Sequence, residues 1–294
     1  MRRMDRQSAS GVALIAVLWC LALLTVLATA VTALSVSHRR AAQRYGESVV
    51  LDARADSALR VAVLRIVAPK GPGGSDAARA DLHVDLPDGE AEVWIEREDG
   101  RIDLNTADEN LIYAFFAANG WELKAARAMA ARIADWKDAD DEARENGAEA
   151  AAYLAAGLPY GPRNGPFEVT DELRQVLGAH DLNAELLGAF TVYSHSAVPR
   201  ASNAPAPVKR ALKFADEHQL GEHRWLPASE SIVASGVNDD AHTFVGEVVR
   251  LRACTKSAVG QRCRLLVARL TGSRQRPLQI YIWKSTSPPF DDHY

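Results

Sequence analysis

Hydrophobic and polar positions divide the chain into stretches of different period. From Val12 to Ser37 no residue is charged: VALIAVLWCLALLTVLATAVTALSVS. As a helix, these 26 residues extend about 39 Å at roughly 1.5 Å per residue, enough to cross a bilayer core. A buried core helix seldom goes so far without charge, so the block reads as a transmembrane helix. A cleaved secretory signal is the nearer rival, but its apolar region usually runs only about 7–15 residues. After Ser37 the pattern turns amphipathic, with no breaker before Pro69. Tyr45, Val49, Ala55, Leu59, Ala62, Val63 and Ile66 fall near one helical face, with Arg, Asp and Glu between them. One long helix is expected, apolar in its first half and amphipathic in its second.

Residues 69–76, PKGPGGSD, read as a loop. Val93 and Ile95 alternate with Glu92, Trp94 and Glu96, and Asp99-Gly100 before Arg101–Leu104 predicts a hairpin with its return strand. From Asn105 to about Leu187 the period is helical. Thr106 is the expected N-cap of a helix carrying Leu111, Ile112, Phe115 and Phe116 and stopped by Asn119-Gly120. An Ala-rich helix over Leu123–Trp136 and two short ones near Val169–Leu177 and Ala184–Phe190 follow. Ser202-Asn203-Ala204-Pro205 before Val208 weakly echoes Leu104-Asn105-Thr106-Ala107 before Leu111, as a duplication or as two ordinary Asn-capped starts. Strands return at Val245–Ala253, Arg264–Leu270 and Leu278–Trp283, with turns at Gly260 and Gly272 and a polar tail from Ser285 to Tyr294. The order of long helix, strands, helices, strands predicts an α+β fold with helices inserted into a sheet.

Composition narrows the classes. The 294 residues are 48% hydrophobic and 24% charged, which excludes wholesale disorder and a polytopic membrane protein. A net charge of −4 excludes a broadly basic nucleic-acid binder. Three cysteines are too few for a disulfide scaffold or a four-cysteine zinc site. Cys254 and Cys263 lie nine apart across an expected turn; they could bridge in an oxidising compartment or stay as two buried thiols, and spacing alone leaves both open. Cys20 lies in the apolar block, as a packing residue. The eight histidines show no zinc spacing, and no nucleophile elbow, phosphate loop or dinucleotide glycine pattern occurs. The chain therefore reads as a non-enzyme with no small-molecule substrate.

Charge alone does not orient the apolar block. Arg2, Arg3 and Arg6 precede it with Asp5 against them, and Arg39, Arg40 and Arg44 follow it. A short basic leader ending in Gly11, followed at once by a long apolar helix, resembles a type IV prepilin-like signal. The resemblance implies cleavage on the cytoplasmic side by a prepilin peptidase, between Gly11 and Val12, with the helix retained. Most pilin-like proteins carry Glu at the fifth mature position, which here is Ala16. A subunit without that carboxylate suits a place with no subunit above it, the filament tip, because a buried carboxylate needs a partner.

Residues 135–149, DWKDADDEARENGAE, hold seven acids against two bases. Acids this dense repel one another, and calcium, which takes six to eight oxygens, is the usual remedy. An EF-hand frame starting at Asp138 puts Asp138, Asp140, Glu142, Asn146 and Glu149 at positions 1, 3, 5, 9 and 12, but position 6 is Ala143 rather than Gly. The composition favours calcium and argues against a true EF-hand loop; a solvated acidic helix end is the other reading.

Ile102-Asp103-Leu104-Asn105-Thr106-Ala107, Asp135-Trp136-x-Asp138, Asn146-Gly147-Ala148-Glu149 and Pro166-Phe167 together resemble the K-type minor pseudopilins of the type II secretion system. The likeness is strongest over 11–36 and 101–178 and weak beyond 235. It implies a pilin-like core, with a long N-terminal helix, an antiparallel sheet and a large inserted all-helical domain that binds calcium. It also implies a complex with two other minor pseudopilins at the pseudopilus tip, and Asp138, Asp140, Asp141 and Glu149 as Ca²⁺ ligands. On this reading 1–11 is the leader, 12–37 the membrane span, 38–104 the pilin-like helix and first strands, and 105–192 the inserted domain. A second helical or linker segment covers 193–235 and the closing strands 236–294. The protein would cross the inner membrane once with its bulk in the periplasm. The rivals are a type IV pilus minor pilin and a membrane-anchored helix-hairpin-helix DNA binder. The DNA reading is opposed by the single Gly of Asn119-Gly120-Trp121-Glu122 and by the acids that follow, which phosphate would avoid.

Overall fold

The structure is a computed structural model that describes residues 9–67, 81–87, 89–220, 246–257, 260–273 and 275–286. One unbroken helix, α1 (Ala9–Val67), opens it, as the missing breaker requires. Its second half buries Ala55, Ala58, Leu59, Ala62 and Val63, spaced three and four apart on one face. The three alanines let the backbone approach the sheet closely.

That sheet holds β1 (Asp81–Leu86), β2 (Gly89–Arg97), β5 (Val248–Ser257), β6 (Gly260–Leu270) and β7 (Leu278–Thr286) in the order β1-β2-β5-β6-β7. All its pairings are antiparallel. Val84, Ala91, Val93, Ile95, Val249, Leu251, Ala253, Leu266 and Ala268 turn toward α1 and form one core with it.

β2 and β5 are neighbours in space, with Arg97 opposite Val249, yet about 150 residues separate them in the chain. The chain leaves the sheet after Arg97 and rejoins it at Val248. Between lie β3 (Ile102–Asp103), α2 (Glu109–Ala118), α3 (Leu123–Lys137), α4 (Ala150–Ala155), a 3₁₀ turn at Thr170–Gln175, α5 (Ala184–Leu187), β4 (Phe190–Thr191) and α6 (Ala206–Glu217). These share a second core around Leu111, Phe115, Phe116, Met129, Ile133, Tyr153, Phe190 and Val208. The architecture is the expected pilin-like α+β fold with an inserted helical domain. α6 packs into that same helical core, so the helical body continues past residue 192.

Several local expectations fail for physical reasons. Asp99-Gly100 does not make a hairpin; it lies in a 3₁₀ turn at Glu98–Gly100, and Ile102–Asp103 pairs in parallel with Phe190–Thr191. The dipeptide is a docking point instead. Asp99 accepts from Asn203 Nδ2 at 2.8 Å and pairs with Arg200 at 2.8 Å, and Gly100 lies against the Asn203 carbonyl. The hairpin is made upstream by β1, which the sequence reading missed, and β2. Asp108, not Thr106, caps α2, accepting from Leu111 N at 2.7 Å, while the Thr106 hydroxyl donates to Ser196 O. Phe190 belongs to a strand rather than a helix, and Ser285 and Thr286 complete β7 rather than begin a tail. The loop at 69–76 and most of the polar stretch past 220 lie outside the described residues.

Candidate functional site

Three parts of the molecule bear on function: the bare half of α1, the acidic loop and the seam joining insertion to sheet.

Gly11 and Val12 fall in the first turns of α1. From Leu14 to Val36 the large apolar side chains are exposed, Trp19 at 74% and Leu23 at 71%. The most apolar stretch of α1 has mean hydropathy 2.6, and none of it is buried. A helix this apolar and this uncovered needs a non-aqueous environment, lipid or other helices. Ala16 stands on that surface, which carries no carboxylate along Leu14–Ser37.

The acidic loop follows α3. Asp135 is fully buried at its last turn and accepts from Ala148 N at 2.8 Å and Arg144 Nη1 at 2.8 Å. Arg144 also pairs with Asp138 and lies 3.9 Å from Glu109. Asp140 accepts from Glu142 N at 2.9 Å, and Asp141 accepts from Asn164 Nδ2 at 2.9 Å. Asn146 turns the chain with φ +65°. Glu149 precedes α4 and is 7% exposed. Burial first, and then the charges of Asp135, Asp138, Asp141 and Asp140, push its carboxyl above the usual carboxylate range.

The six expected ligands thus gather on one loop, but unequally. Asp138, Asp140, Asp141 and Glu149 share one electrostatic neighbourhood, whereas Glu142 is exposed and gives the loop its backbone N–H. Both Glu149 oxygens, Asp138 Oδ1 and Asn164 Oδ1 are buried without a hydrogen-bond partner among the described residues. Four orphaned oxygens beside a net negative loop fit a hard divalent cation, which oxygen ligands hold. Their carboxylate oxygens are not drawn to a single point, because the Arg144 guanidinium stands between Asp135 and Asp138. Sequence reasoning left Arg144 and Asn164 out of the ligand set; only the fold brings Asn164 to Asp141. Asp135, legible in the Asp-Trp-x-Asp run, acts as a scaffold.

The remaining motif residues are staples for this loop. Asp103, fully buried, accepts from Asn105 N at 2.9 Å and His195 N at 2.8 Å. Asn105 exchanges two hydrogen bonds with the Phe167 backbone, at 2.8 and 2.9 Å. Phe167 stacks on Trp136, with ring centres 6.0 Å apart, at the base of the loop. Lys137 donates to Leu104 O at 2.8 Å, and burial pulls its ammonium below the usual lysine range.

The seam holds a buried charge network, and near it Tyr193 of the insertion stacks on Tyr281 of β7 with ring centres 5.0 Å apart. Glu98 is fully buried between Arg250 and Arg101, and Arg101 also pairs with Glu96. Burial opposes ionisation of Glu98, but Arg250 and Arg101 outweigh it and hold its carboxyl below the usual range. Cys254 and Cys263 face each other across β5 and β6 and form a disulfide.

Residues 97–193 match the first domain of protein K of the type II secretion system. Over that stretch the inserted domain is similar to the type II secretion protein K family. The matched stretch is about a third of the chain and runs from the end of β2 past β4. Most of the chain shares the fold of a protein in the crystal structure of the GspK-GspI-GspJ complex from enterotoxigenic Escherichia coli. The TM-score is 0.56 at 16% identity, over 85% of this chain and 100% of that one. Comparison with curated proteins gives no match. The matched stretch thus lies between β2 and β5, and the acidic loop lies within it.

Proposed function

We propose that the chain is a K-type minor pseudopilin of the type II secretion system, a structural subunit and not an enzyme. The protein K domain carries this reading, inserted in a pilin-like sheet whose long helix is bare over its apolar half. Its work is assembly. Prepilin peptidase cuts between Gly11 and Val12, α1 holds the subunit in the inner membrane with its bulk in the periplasm, and the bare half then packs among sister helices. The absence of a carboxylate at Ala16 and the bulk of the insertion both favour the tip. The crystallised complex that holds the like fold joins GspK, GspI and GspJ of a type 2 secretion system, which supports other minor pseudopilins as partners here.

Calcium belongs to this proposal. Asp138, Asp140, Asp141 and Glu149, with Asn146 in the turn, would hold it, neutralising repulsion that the protein otherwise meets with cationic side chains such as Arg144. When bound, the ion supplies fixed positive charge and no chemistry. The loop's residues orient carboxylates and tie α3 to α4.

The test co-expresses the full chain with prepilin peptidase and the two sibling minor pseudopilins. Intact-mass measurement should give a chain beginning at Val12 that co-purifies with both siblings. Gly11→Ala should leave the leader attached. A native chain that begins beyond Trp19 or binds neither sibling overturns the reading; salt-sensitive DNA binding would favour the helix-hairpin-helix alternative.

A further inference from the structure

The β1–β2 hairpin is far from the acidic loop in sequence and on the other body of the fold. One face, Leu82, Val84, Ala91 and Val93, packs toward α1. By the alternation of strands, the opposite face carries His83 and Asp85 from β1 and Glu90 and Glu92 from β2. The register sets Asp85 opposite Glu90 and His83 opposite Glu92, so four metal-ligating side chains crowd two adjacent rungs.

The geometry within this face is specific. His83 Nε2 lies 3.5 Å from Asp85 Oδ1 and 3.5 Å from Glu90 Oε2. The three ligand atoms lie within 4.8 Å of one another, the only such group among the described residues. A good N–H···O hydrogen bond has a donor–acceptor distance of about 2.7–3.2 Å, so these contacts are long for one. They match another length. Zinc bonds of about 2.0–2.2 Å to nitrogen and oxygen at tetrahedral angles put neighbouring ligand atoms about 3.4 Å apart. His83 Nε2 thus stands from each of the two carboxylates as neighbouring ligand atoms of such a site stand from one another, on an exposed face that also carries Glu92.

We propose that His83, Asp85 and Glu90 form a surface site for a zinc-class divalent transition ion. An imidazole nitrogen with two carboxylates suits zinc, copper or nickel better than calcium, which takes oxygen. Three ligands on two hydrogen-bonded strands are held apart by the sheet, so binding requires only side-chain rotation. β1 is an edge strand, and an ion on its rim would clamp β1 to β2. The side chains are exposed, 54% for His83, 88% for Asp85 and 73% for Glu90, so the ion is exchangeable. This site stands independently of the calcium loop and of the secretion reading.

The test uses the full mature chain in detergent, saturated with Ca²⁺ so that the acidic loop is occupied. Calorimetric titration with ZnCl₂ should give one site, weakened at least tenfold by His83→Gln and by Glu90→Gln. CoCl₂ in place of zinc should give the intense visible absorption of four-coordinate cobalt, lost in His83→Gln. Because His83 is exposed, metal-free melting of that variant should match the parent, which separates lost binding from lost folding. Zinc binding unchanged in His83→Gln, or no binding in the Ca²⁺-saturated parent, overturns the proposal and leaves the trio as an ion pair between imidazolium and carboxylates.

Discussion

Glu149 shows how a single residue sets the response of the acidic loop. Its carboxyl is raised above the usual range by burial and by four neighbouring acids. A carboxyl raised on folding costs stability when ionised, because the folded chain then binds more protons than the unfolded one. The cost is absent below the unfolded value of 4.5, grows as pH rises toward the raised folded value, and is complete above it. A divalent cation would remove it. Thermal melts of the mature chain should therefore rise with Ca²⁺ at pH 7 and hardly move below pH 4.5. Glu149→Gln should melt higher than the parent without calcium and lose most of the calcium response. A parent that gains as much at low pH would place the ion elsewhere. The density of acids here was legible in the sequence. Their division of labour was not, because Asp135 works as a scaffold and Asn164 arrives from a loop 23 residues beyond Asp141.

At the scale of elements, periodicity exposed the long runs and missed what distant chain imposes. α1 and α3 were legible because each carries an unbroken stripe at helical spacing, and β5, β6 and β7 because Val, Ile and Leu recur between turns. β1, DLHVDL, was overlooked for its brevity and its polar face. The Asp99-Gly100 signal was real chemistry put to another use. The turn packs on the segment at 200–204, about a hundred residues away, and no local rule reports that. Gly100 has no room for a side chain, since an added β-carbon would overlap the Asn203 backbone carbonyl. Gly100→Ala must separate two backbones and should destabilise the protein by about 1–3 kcal/mol, read as a lower urea midpoint. Gly120, in the open turn after α2, meets nothing within 4 Å. Its φ of +92° makes Gly120→Ala costly through backbone strain instead, so the two variants separate crowding from conformation. The β5–β6 hairpin supplies a further case at this scale. Opening the Cys254–Cys263 bond frees a short loop, and the loop-entropy account puts the loss near 2–3 kcal/mol. Reductant should lower the melting temperature of the parent and leave a Cys254→Ser/Cys263→Ser chain unmoved.

The whole molecule is two bodies and a rod, and the seam between the bodies joins buried ion pairs to an aromatic contact, Tyr193 on Tyr281. Removing Glu98 leaves Arg250 and Arg101 buried together, and breaking a buried pair costs about 3–5 kcal/mol. Because Glu98 is held below the usual carboxylate range, its contribution is present above the unfolded 4.5 and is lost as pH falls through the lowered folded value. Glu98→Gln should therefore flatten the acid limb of the stability profile. The rod obeys different physics. Leu23 is 71% exposed and touches neither core, whereas Leu59 is fully buried in the core under the sheet. Leu23→Lys places a charge near the middle of the apolar block, at about 2.5–3.5 kcal/mol for a span in lipid, and removes nothing from the head. Membrane retention after alkaline wash should fall steeply while the melting temperature of the head stays at the parent value. Leu59→Ala should do the reverse, losing about 2–5 kcal/mol of head stability while the chain stays in the membrane. If Leu23→Lys instead melted the head, the apolar half of α1 would be packing against protein of its own chain, and the separation of rod from head on which the proposed assembly depends would not hold.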